Sequence, residues 1–176
     1  MFLDDVRPLI ATPPPLSPES ADAWEDLEQR IGIVFPSDFK QFIDAYGPGM
    51  LDVNIRFHHP TLGTLRTLDH MIEEWDQTDD YFLDDCPYPF AIASGGLLAW
   101  GSTVGGIGLA FHMASPDPDQ WTVVEFASGE YEQSALPFAD WLLRYLRGGG
   151  SDGSFVTSRS QDGATSPIEY ESFPPN

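Results

Sequence analysis

The chain has 176 residues, 41% hydrophobic and 13% aromatic, which suits one domain with a substantial core. Its 28 acidic residues against 8 basic ones give a formal net charge of −20, and Lys40 is the only lysine. A field of that sign repels nucleic acid and anionic membrane and speeds encounter with basic proteins, and a lone cysteine, Cys86, excludes an intramolecular disulfide.

Met1 to Ala11 has no basic start and no long apolar run, so no signal peptide is expected. No run anywhere approaches the roughly 18 apolar residues of a membrane span, so the expected location is the cytoplasm. Residues 1–16 read as an extended lead-in that ends in Thr12-Pro13-Pro14-Pro15. Ser17 and Pro18 are a good cap and first residue for a helix whose stripe is Trp24, Leu27 and Ile31, ended by Gly32. Pro36 opens a second helix with Phe39, Phe42, Ile43 and Tyr46 on one stripe, and Gly47-Pro48 ends it with a left-handed cap.

Met50 to Phe57 alternates Leu51, Val53, Ile55 and Phe57 against polar residues and reads as one half-buried strand. Leu68, Met71, Ile72 and Trp75 give a third helical stripe, followed by an acidic loop from Gln77 to Pro87. Four β-prone runs come next: Pro89–Ala93, Leu97–Gly101, Ile107–Met113 and Trp121–Phe126, separated by turn signals such as Gly105-Gly106. Ser128-Gly129-Glu130 marks another turn. The last helix starts at Pro137, with Phe138, Trp141, Leu142, Tyr145 and Leu146 on its apolar face, and ends at Gly148-Gly149-Gly150. Residues 149–176 are an acidic, largely flexible tail in which Phe155 and Ile168 to Phe173 could still dock. Helices, then a meander of strands, then a closing helix make an α+β domain over residues 17–148, with an antiparallel-dominated sheet and helices mainly on one face.

The candidate chemical sites are weak on their residues. His70 with Glu73 and Glu74 shares a helix face, with His58-His59 upstream, but no second ligand pair has zinc spacing. Cys86 has no fixed histidine partner for a nucleophilic dyad. The glycine run Gly101 to Gly108 lacks the Lys-Ser/Thr ending and following helix of a phosphate loop, and a Gly-Gly hairpin explains it better. Asp79-Asp80 and Asp84-Asp85 lack the pattern of a calcium loop. Trp24, Trp75 and Trp141 sit on helix stripes, and the faces of Trp100 and Trp121 are open. The expectation is therefore no cofactor, no metal and no catalysis.

Gly32, Phe35, Pro36, Asp38, Phe39, Phe42, Ile43, Tyr46 and Gly47 together resemble the opening of the SUKH superfamily, also called SMI1/KNR4. Pro89 to Thr103, Pro116 to Trp121 and Phe138 to Leu146 are similar to its later landmarks. Where many members carry an Asn-Gly-Asp hairpin, this chain has Val104-Gly105-Gly106-Ile107-Gly108. The resemblance implies an SMI1/KNR4-like fold and a non-enzymatic immunity protein that neutralises a cognate bacterial toxin, commonly a nuclease, by binding it. It also admits a regulatory scaffold of cell-wall synthesis or signalling. The acid balance agrees with a basic toxin as partner, with no nucleic acid or membrane bound. The expected contact surface is Glu73, Glu74, Asp76, Asp79, Asp80, Asp84 and Asp85, seven carboxylates within thirteen residues, with Tyr81 and Phe82 among them. The oligomeric state is open.

Overall fold

The structure, a computed structural model, describes residues 2–11, 20–62, 67–76, 86–127, 129–149, 154–156 and 167–173. Among them are five helices: α1 (Phe2–Val6), α2 (Ser20–Ile31), α3 (Ser37–Tyr46), α4 (Leu68–Asp76) and α5 (Phe138–Leu146). Seven strands form one sheet: β1 (Gly49–Leu51), β2 (Ile55–Phe57), β3 (Leu97–Thr103), β4 (Gly108–His112), β5 (Thr122–Ala127), β6 (Glu130–Pro137) and β7 (Tyr170–Ser172). Their order is β6-β5-β4-β3-β2-β1-β7 and every neighbouring pair is antiparallel. This is the expected α+β meander, widened by one strand at each end.

The alternation along each strand sorts its side chains between two layers. Leu51, Ile55, Phe57, Leu98, Trp100, Leu109, Phe111 and Val123 join one buried cluster with the stripes of α2, α3 and α5. Phe39, Phe42, Trp141 and Leu142 are at most 1% exposed, where α3 and α5 meet the sheet. Phe138 stands at the centre of that layer, its ring 5.1 Å from Phe39 and 5.5 Å from Trp100. Trp100 and Trp121 both belong to this cluster, which settles their faces. On the opposite layer Leu97, Ala110, Val124 and Phe126 are covered by Trp75, Tyr88 and Phe90. The central strands are therefore buried on both sides.

Three local readings are corrected. Met50 to Phe57 is not one strand but two short ones around a turn at 52–54, where Asp52 and Val53 have φ of 56° and 52°. Leu51 pairs with Ile55, so both face inward and the hairpin keeps the parity that made the run look continuous. Pro89 to Ala93 is not a strand either. The chain doubles back there, with Leu97 N–H donating to the Pro89 carbonyl at 2.8 Å and Gly96 N–H to that of Ala93 at 2.9 Å. Its apolar residues serve as a lid, Phe90 stacking on Trp75 at 5.4 Å. Finally, β6 occupies a stretch read as a turn running into the last helix. Glu130, Glu132 and Gln133 give it no apolar alternation, because as an edge strand it is only partly buried.

The described helix ends at Gly32, Pro36, Gly47 and Pro137 follow their sequence signals, and the Ser17-Pro18 start expected for α2 lies outside the described residues. Gly47 has φ 74° and donates its N–H to the Ile43 carbonyl, closing α3 in a conformation that costs a side chain dearly. At the other end of α3, Asp38 accepts from Phe39 N–H at 2.7 Å and from Ala139 N–H, in the first turn of α5, at 2.8 Å. Burial pushes the Asp38 carboxyl up from its ordinary range, against these two donors. Asp119 accepts from the N–H and hydroxyl of Ser37 at 2.6 and 3.0 Å.

The tail returns to the domain. Ile168 bridges Ile10, and Tyr170 is buried with its hydroxyl donating to the Gly47 carbonyl at 2.6 Å.

Two outcomes follow for stability. Truncating Phe42, which is fully buried against Phe57 at 4.7 Å and Tyr46 at 4.8 Å, removes a large ring from a packed layer. Phe42→Ala should lower unfolding free energy by about 3 to 5 kcal/mol in chemical denaturation. His59, 1% exposed, is held neutral: burial lowers its pKa from 6.5 to about 4, with Asp44 acting weakly the other way. Its Nδ1 accepts from the N–H groups of Thr61 and Leu62, both at 3.1 Å. A base depressed in the folded state favours unfolding once protonated, so its contribution is complete above about pH 6.5 and is lost as pH falls toward about 4. That loss is about 3 kcal/mol at 1.36 kcal/mol per unit. His59→Asn keeps an acceptor near Nδ1 and should flatten stability against pH between those limits.

Candidate acidic docking surface

α4 turns Leu68, Met71 and Ile72 into the core and leaves Glu73 and Glu74 exposed. Trp75 anchors the helix end on the second sheet layer, its ring edge-on to Phe126 at 4.9 Å. Asp76 is the last residue of the helix. Asp79, Asp80, Tyr81, Phe82, Asp84 and Asp85 lie outside the described residues. Of the expected contact set, the structure thus brings Glu73 and Glu74 to one exposed helix face.

A second acidic helix face lies on α2. Arg30 on α2 meets Asp69 on α4 at 2.8 Å, which ties the two helices together. Burial alone would raise the Asp69 carboxyl, but hydrogen bonds from Thr67 and the His70 N–H, with the Arg30 guanidinium, hold it below its ordinary range. On α2, Asp22, Glu25 and Asp26 are exposed while Ala23, Trp24 and Leu27 are buried. The period of α2 carries that signal: three acids on the side away from an apolar stripe. What the sequence does not carry is the pairing of α2 with α4, which depends on a contact 39 residues apart.

Two further cations sit against carboxylates of the domain. Lys40 pairs with Glu28 at 2.7 Å, and that carboxylate also accepts from Phe35 N–H at 2.9 Å. Arg144 approaches Glu125 at 3.8 Å. Glu125 is itself 1% exposed and accepts from Trp141 Nε1 at 2.9 Å, from Ser154 Oγ at 2.9 and 3.0 Å and from Val156 N–H at 2.9 Å. A glutamate within Val123-Val124-Glu125-Phe126 was the available sign of a buried, fully hydrogen-bonded carboxylate.

The chemical readings take structural forms. His58 and His59 are buried, whereas His70 is on the surface and hydrogen-bonds Thr67 at 3.0 Å. Among the described residues no three metal-ligating side chains come together. Cys86 donates to the Tyr88 carbonyl at 3.6 Å, and burial pushes its thiol up, away from the thiolate a nucleophile needs. Gly105 and Gly106 form the β3–β4 hairpin turn, where Thr103 N–H donates to the Ile107 carbonyl at 2.8 Å. On the opposite layer His112 Nδ1 accepts from Gln133 Nε2 at 3.0 Å beneath the Tyr88 ring, and burial lowers its pKa. Among the described residues no helix is long and apolar enough to cross a membrane.

Comparison with known proteins agrees with this architecture. The family model described as SMI1 / KNR4 family (SUKH-1) matches residues 18–144. No curated protein and no solved structure matches the chain. The match runs from the start of α2 into α5 and takes in the Pro36–Gly47 helix, the Asp119 turn and the meander between them, so the chain belongs to the SMI1/KNR4 (SUKH-1) family.

Proposed function

We propose that this protein is a non-enzymatic immunity protein that neutralises a cognate bacterial toxin, a basic nuclease, by binding it in the cytoplasm. The family includes immunity proteins, and it is generally one of binding proteins rather than enzymes. The observation that carries the reading is that α2 and α4 both expose carboxylates, Asp22, Glu25 and Asp26 on one and Glu73 and Glu74 on the other, with the Arg30–Asp69 ion pair linking the two helices. A net charge of −20 supports it independently, because a protein that grips nucleic acid must be basic and is drawn to such a field. The contact would centre on Glu73, Glu74, Asp76, Asp79, Asp80, Asp84 and Asp85, with Tyr81 and Phe82 as apolar anchors. Asp22, Glu25 and Asp26 of α2 widen the same field.

Complementary charge acts chiefly on the association rate and is screened by salt. Converting Asp79, Asp80, Asp84 and Asp85 to Asn and Glu73 and Glu74 to Gln should slow association with the cognate toxin by about tenfold at low salt and reduce the salt slope. An unchanged rate and slope would move the contact elsewhere on the domain. Native protein that neither binds nor protects against the toxin would instead point to a regulatory scaffold.

A further inference from the structure

Among the described residues only three large hydrophobic side chains are strongly exposed, Val34, Val53 and Val104, and two of them stand together. Val53 lies in the turn from β1 to β2, and Val104 in the turn from β3 to β4. Ile55 pairs with Thr103, and Val104 N–H donates to the Asn54 carbonyl at 2.9 Å, so the two turns are joined side by side at one end of the sheet. Val53 is 52% and Val104 47% exposed. A single exposed valine is ordinary on a protein surface, whereas an adjoining pair is a patch.

Val53 is also held under strain. Its φ of 52°, after 56° at Asp52, puts a β-branched residue in the left-handed region, and Asn54 N–H closes the turn on the Leu51 carbonyl at 2.9 Å. Turns of this hand favour glycine at that position, and the neighbouring turn has one, Gly106 with φ 86°. At Val53 the chain keeps a strained backbone and an exposed apolar side chain together. Neither helps the fold, and strain of that kind gathers at binding sites.

The patch differs in charge from the rest of a chain at −20. From Cys86 to Pro116 there is no Asp, Glu, Lys or Arg, and there is none from Val53 to Ile55. Asp52 and Arg56 flank the first turn with one charge of each sign, and Asp52 accepts from the Tyr145 hydroxyl at 2.9 Å. Acids come to its margin. The Phe126 ring lies over Gly108, where β4 leaves the second turn, and Trp75 packs edge-on against that ring at 4.9 Å. The last turn of α4, which carries the exposed Glu73 and Glu74, is thereby brought toward the same end of the sheet.

We propose that Val53 and Val104 are the apolar anchor of the partner contact, seated in an apolar pocket of the basic toxin beside the cations that the acids of α4 attract. This rests on the immunity reading and divides the work of binding within it. Steering by charge is screened by salt and acts on association. An apolar anchor desolvated at the centre of a contact acts on dissociation and is insensitive to screening. The acids set how fast the toxin arrives, and the valines how long it stays.

The test uses the full chain and the cognate toxin, purified in a catalytically inactive form, with surface plasmon resonance at low and high salt. Val53→Gly and Val104→Thr should each speed dissociation about fivefold or more at both salt levels and leave association within about twofold. Val53→Gly also releases the left-handed strain, so its chemical-denaturation midpoint should rise. A more stable fold with a shorter-lived complex separates an anchor from a residue that only supports the turn. A lowered midpoint in Val53→Gly, unchanged dissociation in either variant, or an effect confined to association at low salt would overturn the anchor and leave the immunity reading standing. Wild-type protein that does not bind the toxin would overturn both. Binding to neutral phospholipid vesicles, or dimerisation of the chain, that both substitutions abolish would give the patch another occupant and overturn the proposal as well.

Discussion

The Asp38 carboxylate accepts from Phe39 N–H with one oxygen and from Ala139 N–H with the other, so helices separated by 101 residues of chain start on the same side chain. Both helix N-termini carry the positive end of a dipole, which suits an anion there. The cost is desolvation, visible in the raised Asp38 pKa. The gain is position. Ala139 follows Phe138, whose ring lies 5.9 Å from Phe42, 6.3 Å from Phe111 and 6.5 Å from Trp141. Fixing the first turn of α5 therefore fixes the ring about which both helices meet the sheet. Asp119 reaches the same end of α3 through Ser37, so the loop before β5 is drawn to that point as well.

Much of this was legible in the sequence, and the reason is local. Helices α2, α3, α4 and α5 each carry an apolar stripe, and α3 and α5 open on proline, signals contained within about a dozen residues. The order Pro36, Asp38, Phe39 was readable as a family opening, whereas Asp38's partner at Ala139 was not. Errors arose where tertiary burial replaces periodicity. Edge strand β6 has no apolar face to display, the Pro89–Ala93 run is apolar because it covers Trp75, and a three-residue turn kept the parity of β1 and β2. The acidic face of α4 was legible for the same reason as its stripe. Its union with α2 was not, since nothing near Arg30 announces Asp69.

Charge is distributed with a clear asymmetry. Arg30, Lys40 and Arg144 each approach a carboxylate within the domain, at 2.8, 2.7 and 3.8 Å. With these three basic groups set against carboxylates, α2 and α4 expose Asp22, Glu25, Asp26, Glu73 and Glu74. Surface ion pairs contribute little to stability, typically below about 1 kcal/mol each, so Arg30–Asp69 matters more as an orienting contact than as a source of folding energy. Self-repulsion among the remaining acids works against the compact state. On the proposed reading, a cationic partner would relieve that repulsion on binding.

The aromatic layer holds the helices that carry these exposed acids. Two short, exposed helix faces would drift if their inner stripes were loosely packed. Trp24 prevents this for α2: its ring lies 5.4 Å from Phe35 and 6.0 Å from Phe39, and its Nε1 donates to Asp44 on α3 at 2.8 Å. Trp75 does the same for α4 from the other layer of the sheet, wedged between Phe90 and Phe126. Large rings carry few rotatable bonds and much buried area, so they hold a helix at small entropic cost. A surface ordered before encounter spares the complex the cost of ordering it on binding. The tryptophans that might have been read as stacking platforms for a ligand thus serve the acidic faces from behind, by fixing the helices that present them.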